Sequence, residues 1–304
     1  MPELPEVETI RRQLAPHLEG RLLEELEILD PRWCEPAEPS ALEDAARGRR
    51  IERVSRRGKY LVLELHDDVF VAMHLRMTGN LLLAHEDERP HLRSRFRLEG
   101  GKNLLFVDVR RFGTGVVLLG PEARDAYFDA RLGVEPLDAD FTAAALRALA
   151  RGRRQPVKAF LLNQERIAGV GNIYADEALY RARIHPLRPV GNLRGGQLAA
   201  LRDAVVEALN AGISAKGASI DDFRHSDGAE GSFQDEFLAY GREGEPCYRC
   251  GRPIRKIRAA GRGTYFCSWC QRAPRAPTRD PPSRRTPPAA YQGRRARPRR
   301  ERRP

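Results

Sequence analysis

The chain has 304 residues, of which 41% are hydrophobic and 31% are charged. This composition is typical of a globular protein with a substantial core, and the length suggests two domains. Lys and Arg number 53 against 42 Asp and Glu, so the net charge of +11 indicates a polyanionic partner, nucleic acid or an anionic membrane surface. Its longest apolar runs, such as Tyr60–Leu63, fall far short of the roughly 20 residues of a membrane span, and the first residues lack the pattern of a signal peptide.

The first predicted element is an amphipathic helix that ends near Gly20. Its apolar residues from Leu4 to Leu18 recur at spacings of three and four, which places them on one helix face. After a proline-rich stretch, many short and closely spaced strand patterns favour a sandwich or barrel. These predicted strands are Ile51–Ser55, Tyr60–Leu65, Phe70–His74, Asn80–Leu83, Arg95–Leu98, Leu104–Val109 and Gly115–Leu119.

From about residue 140 the pattern becomes helical, with a tight turn predicted at Gly169-Val170-Gly171. From Ala273 onward the chain contains eight Pro and eleven Arg and almost no apolar residues, so we predict a disordered tail. The predicted helices are Phe141–Arg151, Val157–Leu162, Asn172–Arg183 and Gly196–Ala215.

Four of the five cysteines form two Cys-x2-Cys pairs near the end of the chain. Cys247 and Cys250 are followed sixteen residues later by Cys267 and Cys270, a spacing typical of one tetrahedral zinc site. Because four thiolates leave no position for water, we expect one structural zinc ion and no catalytic metal. The alternative of two disulfides fits poorly with an intracellular chain. Segments Ile254–Ile257 and Thr264–Phe266 suggest a hairpin with Arg262 at its tip.

The N-terminus offers a nucleophile with two neighbouring carboxylates. Removal of Met1 would expose the secondary α-amine of Pro2, and α-amines titrate near ~8, well below lysine. The start of a helix lowers such a pKa further. Glu3 and Glu6 share the first turn beside this amine, an arrangement suited to Schiff-base chemistry with acid–base assistance. Without further information, the simpler interpretation is that these carboxylates only complement the helix dipole.

The sequence PELPEVET at Pro2–Thr9 resembles the start of bacterial formamidopyrimidine-DNA glycosylases, which remove 8-oxoguanine and cleave abasic sites. Other motifs resemble that family in the same order, up to about residue 272. They are Arg57–Tyr60, Met73–Gly79, Asp108–Gly113, Gly169–Ala175 and the cysteine-rich hairpin. The related endonuclease VIII enzymes differ from this chain after PELPE.

The resemblance implies roles for five residues in catalysis. The Pro2 nitrogen would attack C1′ of the damaged nucleotide and form an imine, with Glu3 as proton donor for base release and Glu6 supporting the sugar chemistry. Lys59 would be the proton donor of β-elimination and Arg262 that of δ-elimination. Because Lys59 follows Arg56 and Arg57, we expect its pKa to be lowered by like charge. Taken alone, Lys59 would be interpreted as a solvated strand end.

The resemblance also implies a DNA interface. Three side chains would fill the space left by the extruded base, and the residues are Met77, Arg110 and Phe112. Taken alone, Met77 and Phe112 are more typical of core positions. The phosphate contacts implied are His91, Arg110, Arg153 and Asn172, where Arg153 replaces a common lysine and Arg76 replaces a residue that is often small. Ser226–Gln234 would form a loop that closes over the base, although a Gly- and Asp-rich surface loop is the simpler interpretation.

We therefore expect an α+β protein with an N-terminal helix and β-sandwich at 1–135, a helix–two-turns–helix domain at 136–240, a four-cysteine zinc finger at 241–272 and a tail at 273–304. We expect a monomer that acts on damaged double-stranded DNA in the bacterial cytoplasm near the nucleoid, without an organic cofactor. The alternatives are an endonuclease VIII-type enzyme for oxidised pyrimidines, a non-catalytic zinc DNA-binding protein and an RNA-binding zinc-ribbon protein. The tail alone holds eleven Arg against Asp280 and Glu301, so most of the basic excess lies there.

Overall fold

The computed structural model describes residues 2–85, 88–219 and 231–273. Two predictions therefore lie wholly or partly outside the described residues: the tail after Ala273, and residues 226–230 of the predicted closing loop. None of the helices in the described part is long and apolar enough to cross a membrane.

The N-terminal part is an α1 helix followed by eight antiparallel strands. The helix spans Leu4–Leu18, and the strand order is β5-β7-β6-β1-β2-β3-β4-β8. Two four-stranded halves meet where β1 pairs with β2 and share one core, which confirms the predicted sandwich. The strands are β1 (Leu22–Ile28), β2 (Arg49–Arg57), β3 (Tyr60–Leu65), β4 (Val69–His74), β5 (Gly79–Ala84), β6 (Leu92–Leu98), β7 (Lys102–Asp108) and β8 (Thr114–Leu119).

The second part is helical and ends in a two-stranded hairpin. Helices α6 and α7 pack against each other and form the centre of a separate apolar core. The helices after α1 are α2 (Pro39–Ala46), α3 (Pro121–Asp129), α4 (Ala143–Ala150), α5 (Val157–Leu161), α6 (Asn172–Arg181) and α7 (Gly195–Ser214). The hairpin consists of β9 (Arg255–Ala259) and β10 (Arg262–Phe266), as the sequence predicted.

Three elements, β1, α2 and α3, were not predicted. The β1 sequence contains three glutamates among seven residues, which obscures its alternation. Two of these glutamates pair across the sheet with arginines on β6: Arg95 Nη1 lies 3.0 Å from Glu27 Oε2, and Arg97 Nε lies 3.3 Å from Glu25 Oε2. Cross-strand ion pairs of this kind let a charged sequence occupy a central strand.

Helix α1 connects the two cores. Its first residue, Leu4, is buried in the helical core, whereas Val7, Ile10 and Leu14 are buried in the sandwich core. The Leu4 amide also donates to the Gly169 carbonyl in the turn before α6, at 3.1 Å. The N-terminus is therefore fixed at the junction of the two parts, where both can contribute side chains.

Candidate active site

Pro2, Glu3 and Glu6 are all buried at the start of α1. Glu3 is the residue that caps the helix, and its backbone N–H donates to Glu6 Oε2 at 2.9 Å. This bond is the glutamate half of a capping box, and it satisfies a backbone N–H that is otherwise unpaired at a helix start. It fixes both carboxylates beside Pro2.

The Glu3 side chain points at the N-terminus of α6. Its Oε1 atom accepts the Ile173 N–H at 3.0 Å, and its Oε2 atom lies 3.5 Å from the Tyr174 nitrogen. Gly171 makes this approach possible, because a Cβ there would lie only 2.2 Å from the Glu3 Cδ atom. The second glycine of the predicted turn is therefore needed because any side chain at position 171 would collide with the Glu3 carboxylate.

Burial raises the pKa of the Glu3 carboxyl group above its ordinary value, and the neighbouring charge of Glu6 raises it as well. The positive charge of Lys59 and the two backbone N–H donors act in the opposite direction. The protonated form is therefore more populated than in an exposed glutamate, which suits a proton donor.

Glu6 joins the N-terminus to the helical part. Its Oε1 atom accepts the Tyr174 hydroxyl at 2.7 Å and the Ala218 N–H at 2.9 Å. Tyr174 in turn stacks on Phe233, with ring centroids 5.3 Å apart. Glu6 thus contacts Ala218 directly and Phe233 through Tyr174.

Lys59 follows Gly58 in the β2–β3 turn and is only 6% exposed. Burial lowers the pKa of its ammonium group, as do the charges of Arg262 and Arg76, whereas Glu3 and Glu6 raise it. The predicted direction is correct. Like charge contributes as predicted, but burial is the larger cause, and the like charges that contribute most are those of Arg262 and Arg76. Arg56 and Arg57 bind the Glu135 carboxylate, at 3.0 and 3.2 Å.

Arg262 is the first residue of β10, directly after the hairpin turn, and its side chain is exposed. The hairpin is attached to the helical part by a fully buried ion pair between Lys158 of α5 and Asp176 of α6, at 2.7 Å. Lys158 also donates to the Thr264 hydroxyl at 2.8 Å, and Asp176 accepts the Tyr265 N–H at 2.9 Å. This pair fixes the strand that carries Arg262, and no sequence motif pointed to it.

The four cysteines of the zinc motif converge. Their Sγ atoms all lie within 4.8 Å of one another, and thiolates around one tetrahedral zinc, at about 2.3 Å each, lie roughly 4 Å apart. Each pair forms a knuckle: Cys250 and Gly251 donate to the Cys247 carbonyl, and Gln271 donates to the Cys267 carbonyl. None of the cysteines is in a disulfide, so the disulfide alternative is wrong. The donor set fits one structural zinc ion.

A second cluster consists of Met77, Arg110 and Phe112. Met77 and Phe112 are 43% and 50% exposed, so their interpretation as core residues is wrong. The Arg110 guanidinium lies 4.8 Å from the centre of the Phe112 ring, and its Nη1 atom lies 3.4 Å from the Met77 sulfur. The three side chains thus form one exposed group.

Asp108 holds this cluster in place and was not recognised as functional from the sequence. It is fully buried, and its Oδ2 atom accepts the backbone N–H groups of Phe112 and Gly113, at 2.8 and 2.7 Å. Its Oδ1 atom accepts the Thr78 hydroxyl, and also the Arg110 N–H at 3.1 Å. The Asp108 carboxylate therefore joins the loop that carries Met77 and Thr78 to the loop that carries Arg110 and Phe112. The available signal in the sequence was an acidic residue directly after the apolar run Leu104–Val107.

The remaining predicted phosphate ligands lie at separate places. His91 is an exposed residue with positive φ before β6, at the edge of a 680 Å³ cleft that Arg93 and Arg111 also line. Asn172 begins α6, and its Nδ2 atom donates to the Gly263 carbonyl of the hairpin at 3.2 Å. Arg153 follows α4, and its Nε atom donates to the Leu149 carbonyl at 2.7 Å.

Comparison with known families accounts for most of the chain. Residues 1–115 match the family model of the formamidopyrimidine-DNA glycosylase N-terminal domain, and residues 132–224 match its H2TH domain. Residues 244–273 match a zinc finger found in FPG and IleRS proteins.

Named relatives and solved structures agree with these matches. A formamidopyrimidine-DNA glycosylase from Chloroflexus aurantiacus is 46% identical over 89% of this chain and 98% of its own length. One from Heliobacterium modesticaldum is 43% identical over 90% and 100%. A Lactococcus lactis FPG mutant bound to Fapy-dG DNA has a TM-score of 0.84 at 36% identity, over 90% of this chain and all of its own. Thermus thermophilus MutM (FPG) has a TM-score of 0.80 at 42% identity, over 89% and 98%. The chain therefore belongs to the formamidopyrimidine-DNA glycosylase family and is a DNA glycosylase of base excision repair.

Proposed function

We propose that this chain excises oxidised purines from duplex DNA through an imine at Pro2 and then cleaves the strand by β,δ-elimination. The observation that supports this most strongly is the Glu3 carboxylate. It is buried beside Pro2, is held by the α6 N-terminus and interacts electrostatically with the buried Lys59. An amine, a carboxyl group of raised pKa and an amine of lowered pKa are the groups that such chemistry requires.

In the first step, the Pro2 nitrogen, freed by removal of Met1, forms a bond to C1′ of the damaged nucleotide. The bond from C1′ to the base breaks, and the base departs with a proton from Glu3. The sugar ring then opens to give an imine between Pro2 and C1′, and Glu6 supports this sugar chemistry. Because the Glu3 pKa is raised, its proton is available closer to neutral pH than that of an exposed glutamate.

In the second step, the imine acidifies the C2′–H bond. Loss of that proton breaks the C3′–O bond, so that phosphate leaves, and Lys59 acts as proton donor. A second elimination breaks the C5′–O bond with Arg262 as donor. Cys247, Cys250, Cys267 and Cys270 would hold a zinc ion with four thiolates, which would leave it no open position for a part in these steps. It holds the hairpin on which Arg262 lies.

DNA binding rests on two groups of side chains. We assign the exposed cluster of Met77, Arg110 and Phe112 to the gap left by the extruded base, where Phe112 wedges the step and Arg110 bonds the unpaired cytosine. We assign phosphate contacts to His91, Arg110, Arg153 and Asn172. A partner of damaged double-stranded DNA is consistent with the Lactococcus lactis relative, which was crystallised with lesion-containing DNA.

The expected organisation follows from these roles. We propose a catalytic part at 1–135, a DNA-binding helical part at 136–240 and a zinc finger at 241–272, acting as a monomer without an organic cofactor. We further propose that the chain works in the bacterial cytoplasm, close to the nucleoid. The Arg- and Pro-rich tail at 273–304 would add sequence-independent affinity for DNA.

Borohydride trapping on paired duplexes tests the proposal. A duplex with 8-oxoguanine opposite cytosine should give a covalent adduct at Pro2, located by peptide mass spectrometry, whereas a thymine glycol duplex should give much less. Pro2→Gly should react poorly, and Glu3→Gln should bind the lesion without releasing the base. A preference for thymine glycol would favour the endonuclease VIII alternative. Absence of an adduct at Pro2, or normal base release by Glu3→Gln, would contradict the mechanism.

A further inference from the structure

Residues 132–135 lie between the sandwich and the helical part and contact the turn that carries Lys59. Glu135 is 5% exposed, and its Oε1 atom accepts the backbone N–H of Gly58, the residue before Lys59. Arg56 Nη1 donates to Glu135 Oε2 at 3.0 Å and to the Gly58 carbonyl at 2.9 Å. Arg57 completes the arrangement, with Nη1 3.2 Å from Glu135 Oε1. A single buried carboxylate therefore binds three consecutive residues, the last two of β2 and the glycine of the turn.

The conformation of the turn depends on a glycine at position 58. Gly58 has a φ of +56°, and a Cβ there would lie 3.2 Å from the Leu132 Cδ1 atom. Leu132 therefore leaves little room for a side chain at position 58, and the segment is also hydrogen-bonded to the turn. A further bond runs from Arg57 Nη2 to the Gly133 carbonyl, at 3.0 Å.

The opposite side of the same segment is joined to the turn behind Glu3. Val134 N donates to the Arg166 carbonyl at 3.1 Å, and the Val134 carbonyl accepts the Ala168 N–H at 2.9 Å. The next residue, Gly169, accepts the Leu4 N–H at the start of α1. A short path of backbone bonds thus connects the Lys59 turn with the helix that presents Pro2 and Glu3.

Glu135 also binds the two arginines that come before the Lys59 turn. Arg56 and Arg57 precede Lys59 in the chain, and the Glu135 carboxylate binds both guanidinium groups. Glu8 binds Arg56 from the other side, with 3.3 Å between Oε2 and Nε. The charges that act most on the lysine amine are those of Glu3, Arg262, Glu6 and Arg76.

We propose that Glu135 is a positioning residue for Lys59, and that it sets the distance between the lysine amine and the imine at Pro2. The inference rests on the proposed function, in which Lys59 acts in the elimination step and Glu3 in base release. A displacement of the turn by about 1 Å is enough to slow a step about a hundredfold. Loss of Glu135 therefore slows strand cleavage more than it slows base release.

Three variants test this assignment. Glu135→Gln keeps the shape of the side chain but removes its charge and one acceptor. Arg57→Gln removes one of the two arginines that bind Glu135, together with the bond to the Gly133 carbonyl, while leaving Glu135 itself intact. Glu64→Gln is the matched control, because it breaks a two-bond pair with Arg53 on the same two strands, away from the turn. Each full-length variant is normalised by its active fraction, measured as the burst amplitude of base release, so that unfolded protein does not enter the rates.

Two single-turnover rates are compared for each protein: base release from an 8-oxoguanine duplex, and strand cleavage at a preformed abasic site. For Glu135→Gln we expect cleavage to slow by about tenfold or more, base release to stay close to wild type, and the trapped imine to accumulate. Arg57→Gln should show a smaller effect in the same direction, and Glu64→Gln none.

Equal slowing of both steps in Glu135→Gln, or unchanged cleavage in both variants at the turn, would overturn the assignment. The wild-type chain separates this result from failure of the proposed function. If wild type releases the base but never cleaves an abasic strand, the proposed lyase activity is wrong, and the role of Glu135 falls with it.

Discussion

Replacing Gly171 with alanine should displace the Glu3 carboxylate from the N-terminus of α6. The added Cβ would lie 2.2 Å from Glu3 Cδ and 2.4 Å from Oε1, whereas ordinary contacts begin near 3.4 Å. The backbone at Gly171 has a φ of −124°, which alanine adopts without strain, so the effect is purely steric. The carboxylate or the turn must therefore move by about 1 Å, and the bond to the Ile173 N–H is lost.

The size of the effect follows from this displacement. A misplacement of about 1 Å in a reacting group costs about a hundredfold in rate, or roughly 3 kcal/mol of barrier. Crowding in a buried site costs about 1–3 kcal/mol of folding stability, so the protein should remain folded. We expect base release from an 8-oxoguanine duplex to fall about a hundredfold, while cleavage of a preformed abasic site, which does not need Glu3 as proton donor, falls much less.

Single-turnover gel assays on the two duplexes measure both rates, and thermal unfolding measures the stability. Gly196→Ala is the matched control, because no atom lies within 4 Å of its added Cβ. It should leave both rates unchanged. Base release at the wild-type rate in Gly171→Ala would refute the reasoning, and so would an equal loss on both substrates, since the alanine would then act on a shared step or on the fold.

Four further outcomes are expected. Asp108→Asn, with one fewer acceptor for the two loops, should weaken binding to lesion duplexes about tenfold in a titration, because buried N–H groups are left unpaired. Chelation of zinc should release the hairpin and abolish the δ-elimination product that depends on Arg262, as seen on a sequencing gel. Between the ordinary and the raised pKa of Glu3, the folded chain holds a proton that the unfolded chain has lost, so the free energy of unfolding falls as pH rises through that window. Glu3→Gln should remove this pH dependence, as measured by denaturant unfolding at several pH values. Truncation after residue 273 should flatten the salt dependence of non-specific DNA binding, since eleven arginines are lost, without changing single-turnover base release.

The parts that could be predicted from sequence depend on short-range spacing. The two cysteines of each pair are three positions apart in the chain, and Glu3 and Glu6 lie on one helical turn, so local geometry determines what they can do. The helix–sandwich–helix order follows from periodicity in the same way. Most of the predicted elements correspond to an observed element, with ends that differ by a few residues.

The supporting residues could not be predicted because their partners are distant in sequence. Glu135 contacts Gly58 across 77 positions, and Lys158 contacts Thr264 across 106. Neither carboxylates nor lysines carry a local signal for such a partner. Apolar residues can also mislead. Phe112 is typical of a core residue in the sequence, but in the structure the Phe112 side chain is exposed and its backbone is bound by the buried Asp108.

The opposing shifts at Glu3 and Lys59 show how the junction prepares both groups. Burial raises the pKa of the carboxyl group and lowers that of the amine, so both pKa values move toward neutral pH. Their mutual attraction opposes each shift, which keeps either group from being locked in its neutral form. The exposed Arg262 acts against Lys59 protonation from the zinc hairpin. Because the two arginines next to Lys59 are bound by Glu135, this balance is set by residues from three distant segments, and only the fold brings them together.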